Sequence, residues 1–259
     1  MREAGYVPRW LIVPAVAGLL FLLVPLTALI ARVEWTRVWV DVTSEAALSA
    51  LALSLGTGAV ATAVCAVIGI PLALLIARSP ARVAAVLRAL VTVPLVLPPM
   101  VGGVALLYLF GRNGWFGALG LPFTTPAVVL AQVFVALPFL VLSVEGALRS
   151  TGVAFERAAA SLGASRSTIL RRITLPLAAP GIVAGVVLCF ARAIGEFGAT
   201  ALFAGNRPGV TQTMPLAIYT AFNGAGVSQG TAVALSLLLL VTAVAVLLLV
   251  RGWRPGVGR

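Results

Sequence analysis

The sequence predicts an all-α, polytopic membrane protein with about six transmembrane helices, and three observations lead there. Mean hydropathy is +1.12. Hydrophobic residues make up 61% and charged residues 10% of the 259-residue chain, against about half and roughly a quarter in a soluble domain. Apolar runs of about 20 residues, the length that crosses a bilayer, recur from end to end. The formal net charge of +11 is carried by arginine alone. A basic balance can indicate nucleic acid, but these arginines stand at the ends of apolar runs, where they set topology against anionic lipid. The expected partner is a lipid bilayer, and no nucleic acid.

The first span is predicted from about Trp10 to Ala31, the second from about Leu48 to Ala77 and the third from about Val83 to Phe110. The fourth runs from about Pro126 to Leu148, the fifth from about Pro180 to Phe203 and the sixth from about Thr231 to Val250. Residues 1–259 therefore read as one transmembrane domain. The first run is too long for the apolar part of a signal peptide, and no clear small-residue cleavage site follows it, so it is read as an uncleaved span. The second and third runs exceed what a straight span needs, so tilt or kinks must absorb the excess. In the third, Pro94, Pro98 and Pro99 with Gly102 and Gly103 predict a helix break at Pro98 and Pro99. A broken helix survives in lipid only where neighbouring helices or a water-filled cavity satisfy its freed carbonyls. That places the third span beside a pathway or inside the bundle.

Orientation follows from the arginines. With the N-terminus inside, Arg2, Arg9, Arg78, Arg82, Arg88, Arg149, Arg157, Arg166, Arg171, Arg172, Arg251, Arg254 and Arg259 are cytoplasmic. Arg32, Arg37, Arg112 and Arg207 are external, and Arg192 lies within the fifth span. This bias predicts cytoplasmic N- and C-termini. Glu34, Asp41 and Glu45 then fall in the first external loop. The external segment at about 204–230 carries Pro208, Gly209, Pro215, Gly224 and Gly226 around an apolar stretch from Met214 to Phe222. It reads equally as a re-entrant or interfacial helix and as an ordinary structured loop.

Little in the chain points to chemistry. The two cysteines, Cys65 and Cys189, fall within predicted spans and read as small packing residues. There is no His, and the seven acidic residues form no paired-carboxylate or nucleophile–base set. Without Lys there is no phosphate-binding G-x-x-x-x-G-K-[ST] loop. The chain is expected to carry no cofactor and no catalysis, and any ATP that drives it must be hydrolysed by a separate chain.

One polar island interrupts the apolar pattern, Glu156 to Leu177, within a cytoplasmic loop at about 150–177. Ala158, Ala159 and Ala160 favour helix, Gly163 breaks it, and Ser165 or Ser167 can cap a second short helix that ends at Leu175-Pro176. Two short helices meeting at a glycine make a projecting knob suited to docking. The island resembles the EAA motif of ABC importer permeases, E-A-A, three residues, Gly and a later I-x-L-P. Ala158, Ala159, Gly163 and Ile173-Thr174-Leu175-Pro176 match it, while Glu156 stands one residue early and Arg157 fills the expected slot. The resemblance implies a type I permease fold and a coupling loop that docks an ATPase through Glu156, Ala158, Ala159, Gly163, Ala164, Ser165, Thr168, Leu175 and Pro176, centred on Gly163 to Thr168.

A second run, Ala191-Arg192-Ala193-Ile194-Gly195-Glu196-Phe197-Gly198-Ala199-Thr200, resembles the molybdate and sulfate permease group. Phe203-Ala204-Gly205-Asn206, Thr211 to Tyr219, and Pro94 to Pro99 look more like its molybdate branch. The matches cover roughly Val83 to Tyr219. They imply the permease subunit of an importer for molybdate or a similar oxyanion such as tungstate or sulfate. The implied partners are a second permease copy in a homodimer, cytoplasmic ABC ATPase subunits and an extracytoplasmic oxyanion-binding protein. The alternative is a self-sufficient secondary transporter or anion channel. That class should show ion-coupling carboxylates and broken-helix sites in both halves, and Glu196 is the only acid that reads as clearly deep in a span.

Arg192 and Glu196 are four residues apart and are expected on one helix face inside the fifth span. Charges there must find a partner or water. Either Arg192 lines the path and offsets a passing anion, or the two form an ion pair that holds the bundle together. Gly195 and Gly198 beside them permit close helix approach, which favours the pair.

Overall fold

Helix α6 (Thr125–Thr151) is the post on which the rest is hung. A computed structural model describes residues 8–224 and 229–252. Arg2, Arg254, Arg259 and Gly226 of the sequence argument lie outside them. In chain order the helices before α6 are α1 (Ile12–Ala31), α2 (Val38–Val42), α3 (Glu45–Arg78), α4 (Ala81–Val96) and α5 (Pro99–Phe110). After it come α7 (Ala154–Ser161), α8 (Arg166–Ile169), α9 (Leu175–Ile194), α10 (Gly198–Phe203), α11 (Met214–Asn223) and α12 (Gln229–Gly252). Among the described residues, five helices are long and apolar enough to cross a membrane, and up to six if the bent pair α4 and α5 counts as one span.

Local chemistry sets the ends of the post. The Thr124 hydroxyl accepts from the Ala127 N–H, Pro126 sits in the first turn where its missing N–H is harmless, and Gly152, at φ +66°, closes the last turn. α3 and α9 pack along α6, burying Ala61, Cys65, Leu140, Val144, Ala178 and Cys189 together. Both cysteines are free thiols. In lipid no hydrophobic force separates helix from solvent, so close van der Waals fit drives association. The fit is tight. A Cβ built on Gly181 of α9 would stand 2.1 Å from the Ala147 Cβ of α6, and one on Gly69 of α3 would stand 2.8 Å from Leu140. The Ser143 hydroxyl of α6 also donates to the Gly181 carbonyl at 3.1 Å.

The third predicted span bends by 106° between α4 and α5. Neither Pro98 nor Pro99 has an N–H to continue the helical ladder, so the helix cannot run through them. The fifth span departs from expectation at both ends. The short helix after Gly163 does not stop at Leu175-Pro176. It widens into a π turn over Leu170–Thr174, where the Leu175 N–H donates to the Leu170 carbonyl, and continues as α9. The widened turn gives Pro176 room for its ring and absorbs its missing donor. At the other end α9 stops at Ile194, nine residues short of the predicted limit, with Gly195 as its C-cap. A three-residue break precedes α10.

The two breaks meet. Pro99 and Met100 lie against Gly198, and a Cβ on Gly103 of α5 would fall 2.8 Å from the Ala199 carbonyl oxygen of α10. Beyond α10, the segment that read equally as helix or loop contains α11, with Pro215 in its first turn. Its Met214 N–H donates to the Ser54 hydroxyl of α3 at 2.7 Å, and Met214 and Ala221 pack with α12. α1 stands apart, with no buried residue along its 20 residues, as a lipid-facing helix can.

Because Gly103 faces backbone and not a movable side chain, Gly103→Val is expected to separate α5 from α10. The melting temperature of the detergent-extracted protein should fall, by about the 1–3 kcal/mol of an overpacked core or more. An unchanged melting curve would contradict the close approach.

Candidate functional site

Two places concentrate polar groups, a knob between α6 and α9 and the junction where the broken helices meet. In the knob, α7 ends at Ser161, and Gly163 just beyond it has a φ of +81°, a left-handed conformation that glycine adopts without strain. The chain then turns into α8, where the Ser165 hydroxyl caps the helix by accepting from the Thr168 N–H at 3.2 Å. Ala158, Gly163, Ser165, Thr168 and Pro176 are exposed, and Ala159, Ala164 and Leu175 are half-buried. The most exposed large apolar side chains of the knob are ones that sequence reasoning passed over. Leu162 is 88% exposed and Phe155 64%, apolar side chains in a polar loop, which mark a contact surface.

Glu156 is turned inward, away from that surface. Its Oε1 pairs with the Arg78 guanidinium at the end of α3 and accepts from the Thr174 hydroxyl at 2.7 Å. The one-residue displacement of the glutamate thus gives it partners on two other elements, while Arg157 in the next position is exposed. Between knob and spans lies a recess of about 610 Å³ lined by Arg78, Glu156, Arg157, Arg166, Leu170 and Thr174.

At the junction, Arg192 Nη2 stands 2.6 Å from Glu196 Oε2, and Glu196 is 1% exposed. The two do not share one continuous helix as expected. Arg192 is in the last turn of α9, whereas Glu196 lies in the break beyond it. The pair forms because the C-terminal turn still brings residues four apart together. Glu196 Oε1 accepts from the Ala199 N–H at 2.7 Å, which satisfies a free donor at the start of α10. One carboxylate therefore joins the end of α9 to the beginning of α10. Nearby elements carry further buried polarity. The Gln132 amide of α6, the Thr200 hydroxyl of α10 and the Thr213 hydroxyl before α11 are fully buried with no protein hydrogen-bond partner.

Glu196 is not the only deeply placed acid. Glu145, 3% exposed in α6, is held by Arg88 of α4 through both oxygens, at 2.5 and 3.2 Å, and by Arg149 at 2.7 Å. Its spacing from Arg149, a helical i,i+4, was available in the sequence. The partner 57 residues away was not.

Comparison with known proteins agrees with this architecture. Residues 69–257 match the family of binding-protein-dependent transport system inner membrane components. The molybdenum transport system permease protein of Mycobacterium tuberculosis is 50% identical over 254 residues, spanning 96% of this chain and 95% of the relative. The sulfate transport system permease protein of Salmonella typhimurium is 34% identical, over 77% of this chain and 76% of its own. Among solved structures, a bacterial alginate ABC transporter in complex with its alginate-bound periplasmic protein has a chain that superposes with TM-score 0.73 at 19% identity, covering 93% of this chain and 91% of that one. At that identity the likeness speaks for the fold.

The pairing at the junction generates a prediction. Arg192→Gln and Glu196→Gln are each expected to destabilise the protein by about 3 kcal/mol, the low end for breaking a buried pair because Arg192 is a quarter exposed. The double variant should recover part of the loss. A stable, well-inserted Arg192→Gln protein that no longer transports would instead assign Arg192 to the passing anion.

Proposed function

Since the chain belongs to the binding-protein-dependent transport system inner membrane component family, we propose that it is the membrane-spanning subunit of an ABC importer that carries molybdate, or a similar oxyanion such as tungstate or sulfate, into the cell. It is a multi-pass membrane protein, and since an ABC importer needs two permease halves and this chain supplies one unit of up to six spans, a second copy of itself is the economical partner. The observation that carries the reading is the knob. Leu162 and Phe155, projecting from a loop between two spans beside the exposed Arg157 and Arg166, serve no packing purpose within the chain. They suit docking to a cytoplasmic ATPase, and the arginine bias that puts the knob inside also puts both termini inside. The external face would receive an oxyanion-loaded binding protein, as the alginate transporter engages its periplasmic protein. The 50% identity to a molybdenum permease, against 34% to a sulfate permease, favours molybdate.

The path for the anion would pass the junction of the two breaks. There Arg192 is spent on Glu196 and does not form a trap for the cargo. A secondary transporter is disfavoured on specific grounds. Both buried acids, Glu145 and Glu196, are already bound to arginine and are not free to carry coupling ions.

The test is uptake of labelled molybdate by vesicles holding the permease, with an ATPase and a binding protein encoded beside it. Uptake is expected only with all three and ATP, with tungstate and sulfate as competitors, and the permease alone should hydrolyse no ATP. Uptake without the ATPase would overturn the assignment. Gly163 gives a finer measurement. No atom lies within 4 Å of a Cβ built there, so substitution costs only left-handed backbone strain, about 1–2 kcal/mol for most residues. Gly163→Val should therefore cut uptake sharply without preventing insertion, whereas Gly163→Asn, which tolerates that conformation, should retain most of it.

A further inference from the structure

We propose that Glu156 is a positioning residue that couples the knob to the transmembrane break, by clamping α7 at once to the end of α3 and to the foot of α9. The inference rests on the reading of the chain as an ATP-driven permease. Three observations carry it. First, Glu156 is a knob residue that does not face a docking partner. Its carboxylate is 20% exposed, and both of its bonds run inward, to Arg78 and Thr174. Second, those partners are terminal positions. Arg78 is the last residue of α3, and Thr174 is the last residue of the π turn that opens α9. A clamp at terminal positions moves whole elements, where a bond in mid-helix would only stiffen one.

Third, α9 leads somewhere. From Arg166 to Ile194 the chain is helical for 29 residues, about 43 Å at 1.5 Å per residue. At its far end Glu196 joins it to α10, and α10 lies directly on Pro99, Met100 and Gly103, where the other broken span begins. Knob, clamp, rod and junction form one contiguous chain of ion pairs, hydrogen bonds and close backbone contacts. Such a chain carries displacement from one site to another only if its links hold. α8 is continuous with the rod, whereas α7, which carries Phe155, reaches it through the glycine turn and through the Glu156 link. Without it, α7 can rock about Gly163 while α9 stays where it is.

The experiment uses the complete complex of permease, ATPase and binding protein in vesicles. It measures the number of oxyanions taken up per ATP hydrolysed and the amount of ATPase retained. Arg78→Gln, which lies outside the knob, should retain the ATPase and its hydrolysis while that ratio falls at least about fivefold, the low end for coupling between two sites. The reversed pair, Arg78→Glu with Glu156→Arg, should recover the ratio to within about twofold. Thr174→Val leaves the ion pair and removes one hydrogen bond, and should lower the ratio about threefold. Hydrolysis and uptake falling together, an unchanged ratio, or a reversed pair that assembles without recovery would each overturn the clamp. If Arg78→Gln does not assemble, Thr174→Val decides alone. A wild-type complex that takes up no oxyanion, or does so without its ATPase, overturns the underlying function instead.

Discussion

Close backbone approach around α6 is the constraint on which the rest depends. Lipid gives two helices no solvent reason to associate, so contact must be made by shape. The neighbours of α6 present glycine where it passes, at Gly69 in α3 and at Gly181 and Gly185 in α9. Once α3 and α9 are seated there, their ends are fixed. Arg78 comes to one side of the knob and Thr174 to the other, and Glu156 finds both. The same principle recurs at the junction, where Gly103 and Gly198 let α5 and α10 touch. Small residues thus place the charged ones.

Charge is used sparingly and always in company. Three carboxylates within the helical body are held by arginine: Glu145 by two, Glu156 by one and Glu196 by one. Arg88 and Arg78 join their carboxylates to a different helix, Arg149 pairs with Glu145 within α6, and Arg192 pairs with Glu196 across the end of α9. For the two buried carboxylates, Glu145 and Glu196, loss of the partner would cost several kcal/mol, so the pairs also specify which elements must be adjacent. Glu145 binds α4 to α6 close to the start of the knob. Near the knob the bundle is thus tied by ion pairs as well as by packing.

How much of this was legible in the sequence depended on whether the cause was local. The spans were visible because apolar length is a local property, and the bend before α5 was visible because two adjacent prolines leave no alternative. The break after Ile194 was not, because Gly195, Glu196 and Phe197 contain no proline and each is tolerated in a helix. What ends the helix there is a tertiary contact, the fit of α10 against α5, which no window of sequence contains. α11 stood at even odds because Pro215 and the flanking glycines mark either a helix start or a loop, and its bond to Ser54 lies 160 residues away. The inward turn of Glu156 was hidden for the same reason. A motif fixes which residues form the knob, but the side on which each one points depends on where α3 and α9 end.

The π turn at Leu170–Thr174 has a consequence for how chain length can vary in this protein. A π turn holds one residue more than an α turn. Loss of one residue within it would leave an ordinary helical turn, and the phase of everything downstream would be preserved. One residue lost anywhere else in α9 would rotate the rest of that helix by about 100°, carrying Gly181 and Gly185 off α6 and Arg192 away from the break. The surplus residue is therefore a slack link at the one place where the long helix can tolerate it. Natural single-residue deletions between the knob and the membrane are expected to gather there, with the residues beyond Leu175 keeping their spacing unchanged.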